Sequence, residues 1–338
     1  MLHSTVALAE SPQTVLNLEL QYLPVPPHPS TEPDAVNPPQ ELPIAKDLDY
    51  FGKASLFHFL CPIATPFGER TLRDWLLTPA DAKEVRARQA AVSSLAPHED
   101  FREELQFRSR MVRRGSATPE RFIEWAEGES WLRRRPAMLW SLRLLSILPI
   151  SLLLLTISGV LDPEVGGFAT VGALIINAIV TVLLSSFAHL IFEKISTQHG
   201  EIRHYQATFA LLNNLPGAGE RITAIRDATI RASGGINQQL SYVGWVIGLA
   251  NIRHNPLYFF AIYIPIQLLM LWDFHILDIL ERWQERHGSK VRTWFSTLGE
   301  VEALECLAAL AHDYPEWAWP VIDEETDRVT AAALGHPL

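Results

Sequence analysis

Two stretches of this chain carry no charge over a length that few water-soluble folds can use. Between Arg143 and Asp162 run eighteen uncharged residues, LLSILPISLLLLTISGVL, and between Glu164 and Glu193 run twenty-eight more, VGGFATVGALIINAIVTVLLSSFAHLIF. A helix crosses a hydrocarbon core in about 20 residues, so both are of spanning length or close to it. Core helices of soluble proteins keep a polar stripe, and neither run has one. The short acidic link Asp162-Pro163-Glu164 predicts a hairpin, placed over residues 137–192. Arg133, Arg134, Arg135 and Arg143 precede it and Lys194 and Arg203 follow, whereas the link has no basic residue. The positive-inside rule therefore places both long arms in the cytoplasm, with the chain in the inner (cytoplasmic) membrane. Asn177 and His189 lie within the second run; a helix–helix hydrogen bond or an interfacial position is preferred over a transport path, which needs several facing polar groups.

Composition narrows the function classes. The 338 residues are 48% hydrophobic with a mean hydropathy of +0.08 and a net charge of −10. That balance argues against the phosphate backbone as main partner, which calls for a basic face. Cys61 and Cys306 lie far apart with no CxxC, excluding a disulfide framework or a zinc site from sequence. His199 and His204 are five apart and do not share a helical face as an i, i+4 zinc pair would. No GxxxxGK[ST], GxSxG or HExxH occurs, and HGSK at 287–290 lacks the first glycine and the preceding apolar strand of a phosphate loop. No catalytic group is expected in this chain, and no cofactor.

Residues 1–46 are predicted to be a disordered, Pro-rich segment, with eight prolines from Pro24 to Pro43 that remove donors and favour extended backbone. After it, apolar residues recur at helical spacing: Leu56, Phe59 and Leu60, then Leu72, Trp75 and Leu76, then Val85, Val92 and Leu95. Asp81 is the expected N-cap of the third helix, and Thr118-Pro119-Glu120 reads as another helix start. Beyond the hairpin, Ile195, Ile202 and Phe209, with Tyr205 and Leu212, form a seven-residue seam. Ser233-Gly234-Gly235 breaks the chain before Leu240, Val243, Ile247 and Ala250. The run at 257–272, LYFFAIYIPIQLLMLW, is short for a span and interrupted by Pro265 and Gln267, so a buried core helix is favoured. The last arm presents Val301, Leu304, Leu307, Ala308 and Ala311 on one face and ends near DYPEWAWP. Arg108, Arg110, Arg113 and Arg114 form a basic cluster suited to phosphate or anionic-lipid contact.

Three ordered elements, Asp47–Phe57 (DLDYFGKASLF), Thr65–Pro79 (TPFGERTLRDWLLTP) and Arg88–Val92 (RQAAV), resemble the start of the core domain of the MutS family of DNA mismatch-repair ATPases. LGEVEALECLAALAHDYPEWAWP resembles the returning core helix of that family. The resemblance implies an all-α fold, a MutS-like core and lever interrupted by a two-helix transmembrane hairpin, as in a membrane-bound branch. The expected segments are core (47–135), hairpin (137–192), lever-like helices (193–255) and returning core helices (256–338). In the family, GHPL leads into the Walker A sheet, so ATP and Mg are expected only if an ATPase domain follows, and a homodimer only through that domain. The mispair-reading FxE of the family sits in an N-terminal domain; Phe101-Arg102-Glu103 and Phe122-Ile123-Glu124 match only the tripeptide. The implied partners are the lipid bilayer and DNA. The expected role is a membrane-anchored core and lever coupling a downstream ATPase to mismatched DNA or a partner; the alternative is a noncatalytic membrane scaffold that binds proteins through its cytoplasmic helices.

Overall fold

The computed structural model describes residues 55–60, 63–113, 119–196, 199–231, 235–254, 256–323 and 330–332, and among these every regular element is helical. The Pro-rich segment, Ser233-Gly234 and Cys61 lie outside the described residues. α1 (Leu56–Leu60) is followed by α2 (Pro66–Leu77), which starts where the Thr65 hydroxyl accepts from the Gly68 N–H at 3.3 Å. Pro66 occupies the first turn, where no helical N–H is needed. α3 (Ala82–Leu95) is capped as expected, the Asp81 carboxylate accepting from the Glu84 N–H at 2.7 Å. α4 (Glu99–Arg113) and α5 (Glu120–Glu127) complete the part before the hairpin. Thr118, the expected cap of α5, is not among the described residues.

The two uncharged runs fold as α6 (Pro136–Ile157) and α7 (Pro163–Ser196), both long and apolar enough to cross a membrane. At about 1.5 Å per residue α6 reaches roughly 33 Å, close to the hydrocarbon thickness. Large apolar side chains such as Leu144, Ile147, Phe168 and Val182 point away from the protein along both helices. Such continuous apolar exposure is more than water-soluble surfaces carry and is suited to association with a membrane. α7 is longer than a span needs, and along its last two turns Ala188, Phe192 and Ile195 are buried in the main core.

α8 (His199–Leu212), α9 (Glu220–Arg231) and α10 (Ile236–Ala250) then pack beside the core. The seven-residue seam is realised where it is described: Ile195, Tyr205, Phe209 and Leu212 are buried, and Tyr205 and Phe209 meet the Phe295 ring edge-on at 5.0 and 5.6 Å.

The 257–272 run does not form a buried core helix. It is broken into a turn of α-helix (Pro256–Tyr258), a π-helical stretch (Phe259–Tyr263) and α11 (Ile264–Met270) that lies against the hairpin, with Leu257 73% and Phe260 72% exposed. Leu271 then adopts the left-handed conformation (φ 52°, ψ 50°), and the path bends by 75° into α12 (Trp272–Asp313). A leucine in that region is strained by about 1 kcal/mol and persists because its side chain is fully buried.

α12 is the axis of the molecule: 42 residues, roughly 63 Å, packed in succession against α11, α10, α5, α3 and α2. Its face alternates accordingly, with Phe274, Leu277, Leu280, Val291, Phe295, Leu298, Val301 and Leu304 all buried. Two glycines permit backbone-to-backbone approach. A Cβ on Gly288 would lie 1.9 Å from the Ala126 carbonyl oxygen, and one on Gly299 would lie 2.5 Å from that of Phe67. Gly288→Ala is therefore expected to lower stability by roughly 1–3 kcal/mol, as overpacking does, whereas Gly167→Ala, with open space around it, is expected to be close to neutral. Denaturation of both detergent-solubilised variants compares the two.

Candidate functional site: the two ends of the long helix

At its N-terminal end α12 begins inside a buried polar network built on helix breaks. Pro149 lies within α6 and has no N–H to give the carbonyl of Leu145, one turn earlier. α11 stops at Met270, which leaves the Leu268 carbonyl likewise without a helical donor. Asn177 on α7 answers both: its Nδ2 donates to the Leu145 oxygen at 3.3 Å and to the Leu268 oxygen at 2.8 Å. In an apolar surrounding, such freed carbonyls need a protein partner. Gln267 does the same for the start of α12, its Oε1 accepting from the Asp273 N–H at 3.0 Å while its Nε2 donates to Thr181 Oγ1 at 3.2 Å. The Asp273 carboxylate, fully buried, meets His189 Nε2 at 2.9 Å and accepts from the Tyr263 hydroxyl at 2.7 Å. Asn177 and His189 thus make the interhelical bonds preferred from sequence.

Two turns along α12, charge takes over from amide. Asp278 accepts from Arg133 at 3.0 Å and Arg143 at 2.8 Å, and is also paired with Arg282. Glu281, buried, lies over three successive backbone N–H groups: Trp131 at 2.9 Å and Leu132 at 2.8 Å to Oε1, Arg133 at 2.8 Å to Oε2. Consecutive N–H groups form a concave anion site. Arg133 also binds Glu285 at 2.7 Å, and Gln284 Nε2 donates to the Trp125 and Gly128 carbonyls at 2.6 and 2.9 Å. The segment that leads into the hairpin is therefore clamped to one face of α12.

At the other end, α12 inserts two carboxyls, Glu302 and Glu305, between α2 and α4. Thr65 Oγ1 donates to Glu302, and Gln106 Nε2 donates to Glu305 at 2.9 Å. Gly68 makes room, since a Cβ there would fall 2.2 Å from a Glu302 carboxylate oxygen. Burial pushes both carboxyls up to about 7, against weaker lowering by Ser109 and Thr65 on Glu302 and by Gln106 on Glu305. Thr65 thus caps α2 and ties it to α12 at once.

The arginine cluster is placed differently from a free anion site. Arg108 Nε donates to Glu104 at 2.6 Å and its Nη1 to the Ala207 carbonyl, and Arg110 donates to Gln106 at 3.4 Å. Arg113 ends α4, and Arg114 lies outside the described residues. Among the described residues no three His, Cys, Asp or Glu side chains are grouped so as to hold a metal ion. The acidic pair at 302 and 305 escaped sequence reasoning, as did the two main-chain carbonyls that Asn177 serves; the one signal for those was its position opposite Pro149 in a hairpin.

Residues 13–121 match the family model described as MutS domain III. The match extends beyond the resembling motifs on both sides, takes in α1 to α4, and does not reach residues 298–320. It supports a relationship to the MutS family and, with it, to mismatch-repair proteins. No curated protein and no solved structure matches the chain.

Two outcomes test this geometry. Between about 4.5, the ordinary value, and about 7, the folded state holds protons on Glu302 and Glu305 that the unfolded chain has lost, so their contribution to stability declines as pH rises through that window. Glu302→Gln keeps the hydrogen bonds without the charge; its melting temperature relative to the native protein is expected to be higher at pH 7.5 than at pH 5. Asn177→Leu strands two carbonyls and is expected to destabilise the hairpin by about 0.6–2 kcal/mol, the range for interhelical bonds in membranes, read by unfolding in mixed detergent.

Proposed function

We propose that this chain, related to the MutS family through residues 13–121, is a membrane-anchored core and lever that couples events at its MutS-like helices to a bilayer-embedded base, or the reverse. The observation that carries the reading is α12. One continuous helix has its first turns bonded into the hairpin through Asp273, Asp278 and Glu281, and its last turns bonded into α2 and α4 through Glu302 and Glu305. A rod fixed at both ends by buried polar contacts transmits displacement, because those contacts have few alternative partners.

In this reading the chain itself performs no catalysis. Its residues do not supply a phosphate loop, since GxxxxGK[ST] does not occur, and among the described residues no three His, Cys, Asp or Glu side chains are grouped to hold a metal ion. ATP and Mg would act only through a further domain, as would dimerisation. The arms on either side of the hairpin lie in the cytoplasm, supported by the arginines at 133–135 and 143 and by the absence of basic residues in the link. DNA is the expected soluble partner, with Arg113 and Arg114 as the phosphate contacts and Arg108 and Arg110 in support.

A second reading, a noncatalytic scaffold that binds proteins through its cytoplasmic helices, is favoured by one observation: Arg108 and Arg110 are already occupied by Glu104, Ala207 and Gln106. The two diverge in a titration of the full chain, held in neutral nanodiscs, with mismatched and matched duplex DNA. The coupling reading expects binding that weakens with salt. Each phosphate neutralised contributes about 0.9 to the log–log salt slope, so changing Arg113 and Arg114 together to Ala is expected to reduce that slope by about 2. Absence of DNA binding at low salt would leave the scaffold. Extraction of the chain from membranes by alkaline carbonate would sink the anchor in both.

A further inference from the structure

An open groove of about 830 Å³ runs between α10 and α12, nearer the membrane end of α12 than the acidic pair at 302 and 305. Its walls are polar and aromatic: Gln238, Gln239 and Tyr242 from α10, and Arg282, Arg286 and His287 from α12. Trp283 closes the floor, its Nε1 donating to Gln239 Oε1 at 3.1 Å and its ring stacked on Trp125 at 6.0 Å. The floor is therefore rigid, while the cations at the rim are not all used. Arg282 is paired with Asp278 yet its side chain remains 45% exposed, and Arg286 is exposed with no hydrogen bond or ion pair among the described residues. His287 Nδ1 is buried without a partner.

The depth of the groove follows from the joint. Asp278 bonds Arg143, the last charge before the uncharged run of α6, so Asp278 stands at the hydrocarbon boundary. Arg282 and Arg286 lie four and eight residues further along α12, at most about 6 and 12 Å beyond that boundary. Helical side chains lean toward the N-terminus, here the membrane end, which brings both guanidiniums back toward the headgroup layer of about 5–8 Å per leaflet. Trp245, one turn from Tyr242 on α10, is largely exposed, as is Trp140 on α6. Exposed Trp and Tyr are enriched where membrane proteins meet the headgroup layer.

We propose that this groove binds the phosphate headgroup of an anionic phospholipid, with Arg286 and Arg282 on the phosphate oxygens and Gln238, Gln239 and His287 as further donors. The proposal rests on the membrane-anchor reading and adds to it a specific lipid. Burial, then Lys290 and Arg286, hold the His287 imidazole below its ordinary range, a local excess of positive charge that an anion would relieve.

The test is native mass spectrometry of the full chain released from neutral detergent with dioleoyl-phosphatidylglycerol or dioleoyl-phosphatidylcholine. Retention of phosphatidylglycerol is expected in excess over phosphatidylcholine, reduced about fivefold by Arg286→Gln and further by Arg286→Glu, from a contribution of about one interfacial cation. Arg121→Gln, an exposed arginine on α5, is expected to retain it unchanged. Equal retention of the two lipids, or equal loss in the Arg121 and Arg286 variants, overturns the proposal. So does a groove that takes a short DNA duplex and loses it in Arg286→Glu while phosphatidylglycerol retention stays the same. Failure of the anchor itself has a separate signature, a chain that stays in solution without detergent and does not float with vesicles of either lipid, and it overturns both readings.

Discussion

A carboxylate seated over three consecutive backbone N–H groups joins the uncharged hairpin to the long helix on which the rest of the fold packs. Glu281 fixes residues 131–133 to α12, and those residues are the stem of α6. Beside that seat, the hairpin is joined to the rest of the molecule by Arg143 on Asp278, by His189 on Asp273, and by Phe192 and Ile195 in the main core. The neighbouring Asp278 adds charge to the same seat, drawing Arg133 and Arg143 to one face of the helix. Breaking one partner of such a buried cluster is more damaging than never having built it, because the remaining charges keep their desolvation without compensation.

Inside the hairpin the governing constraint is the backbone. Helices that contain Pro149, or that end at Met270, expose carbonyl oxygens that water satisfies in a soluble protein and that lipid cannot. One amide, Asn177, serves two of them. This is why a polar residue persists in the middle of a twenty-eight-residue uncharged run, and why its chemistry is donation to main chain instead of passage of an ion.

The parts of the fold that were legible in the sequence are those decided by local chemistry. The uncharged runs announce two helices of spanning length by composition, Asp81 caps α3 because a carboxylate before a helical start has an N–H to accept, and Tyr205 and Phe209 face the core because their spacing puts them there. The 257–272 run was misjudged for a reason of principle: lipid and protein interior are both apolar, and hydropathy cannot say which of the two an outer face meets. The bend at Leu271 was invisible because nothing about leucine favours a left-handed backbone; burial of its side chain imposes it. Glu302 and Glu305 read as ordinary helix acids, since the groups that bury them, Thr65 and Gln106, stand 237 and 199 residues away. The arginine cluster was visible as charge, but the carbonyl and carboxylate that occupy Arg108 belong to tertiary structure.

Those separations also order events in time. α2 cannot bury Phe67 and Leu72, nor α4 its Leu105, until the far end of α12 has been made, because that helix supplies the opposing surface. The hairpin has no such dependence: its apolar runs emerge during synthesis well before residue 302 and can enter a bilayer on their own hydrophobicity. Loop closure over more than two hundred residues is slow in a free chain, and long-range contacts are rewarded only after it. With the anchor proposed above, a hairpin held in a bilayer would shorten the effective loop by returning its two ends to one surface. Anchoring would then precede and assist core closure, and a chain whose hairpin failed to insert would present its first helices to chaperones and proteases as an unfinished half.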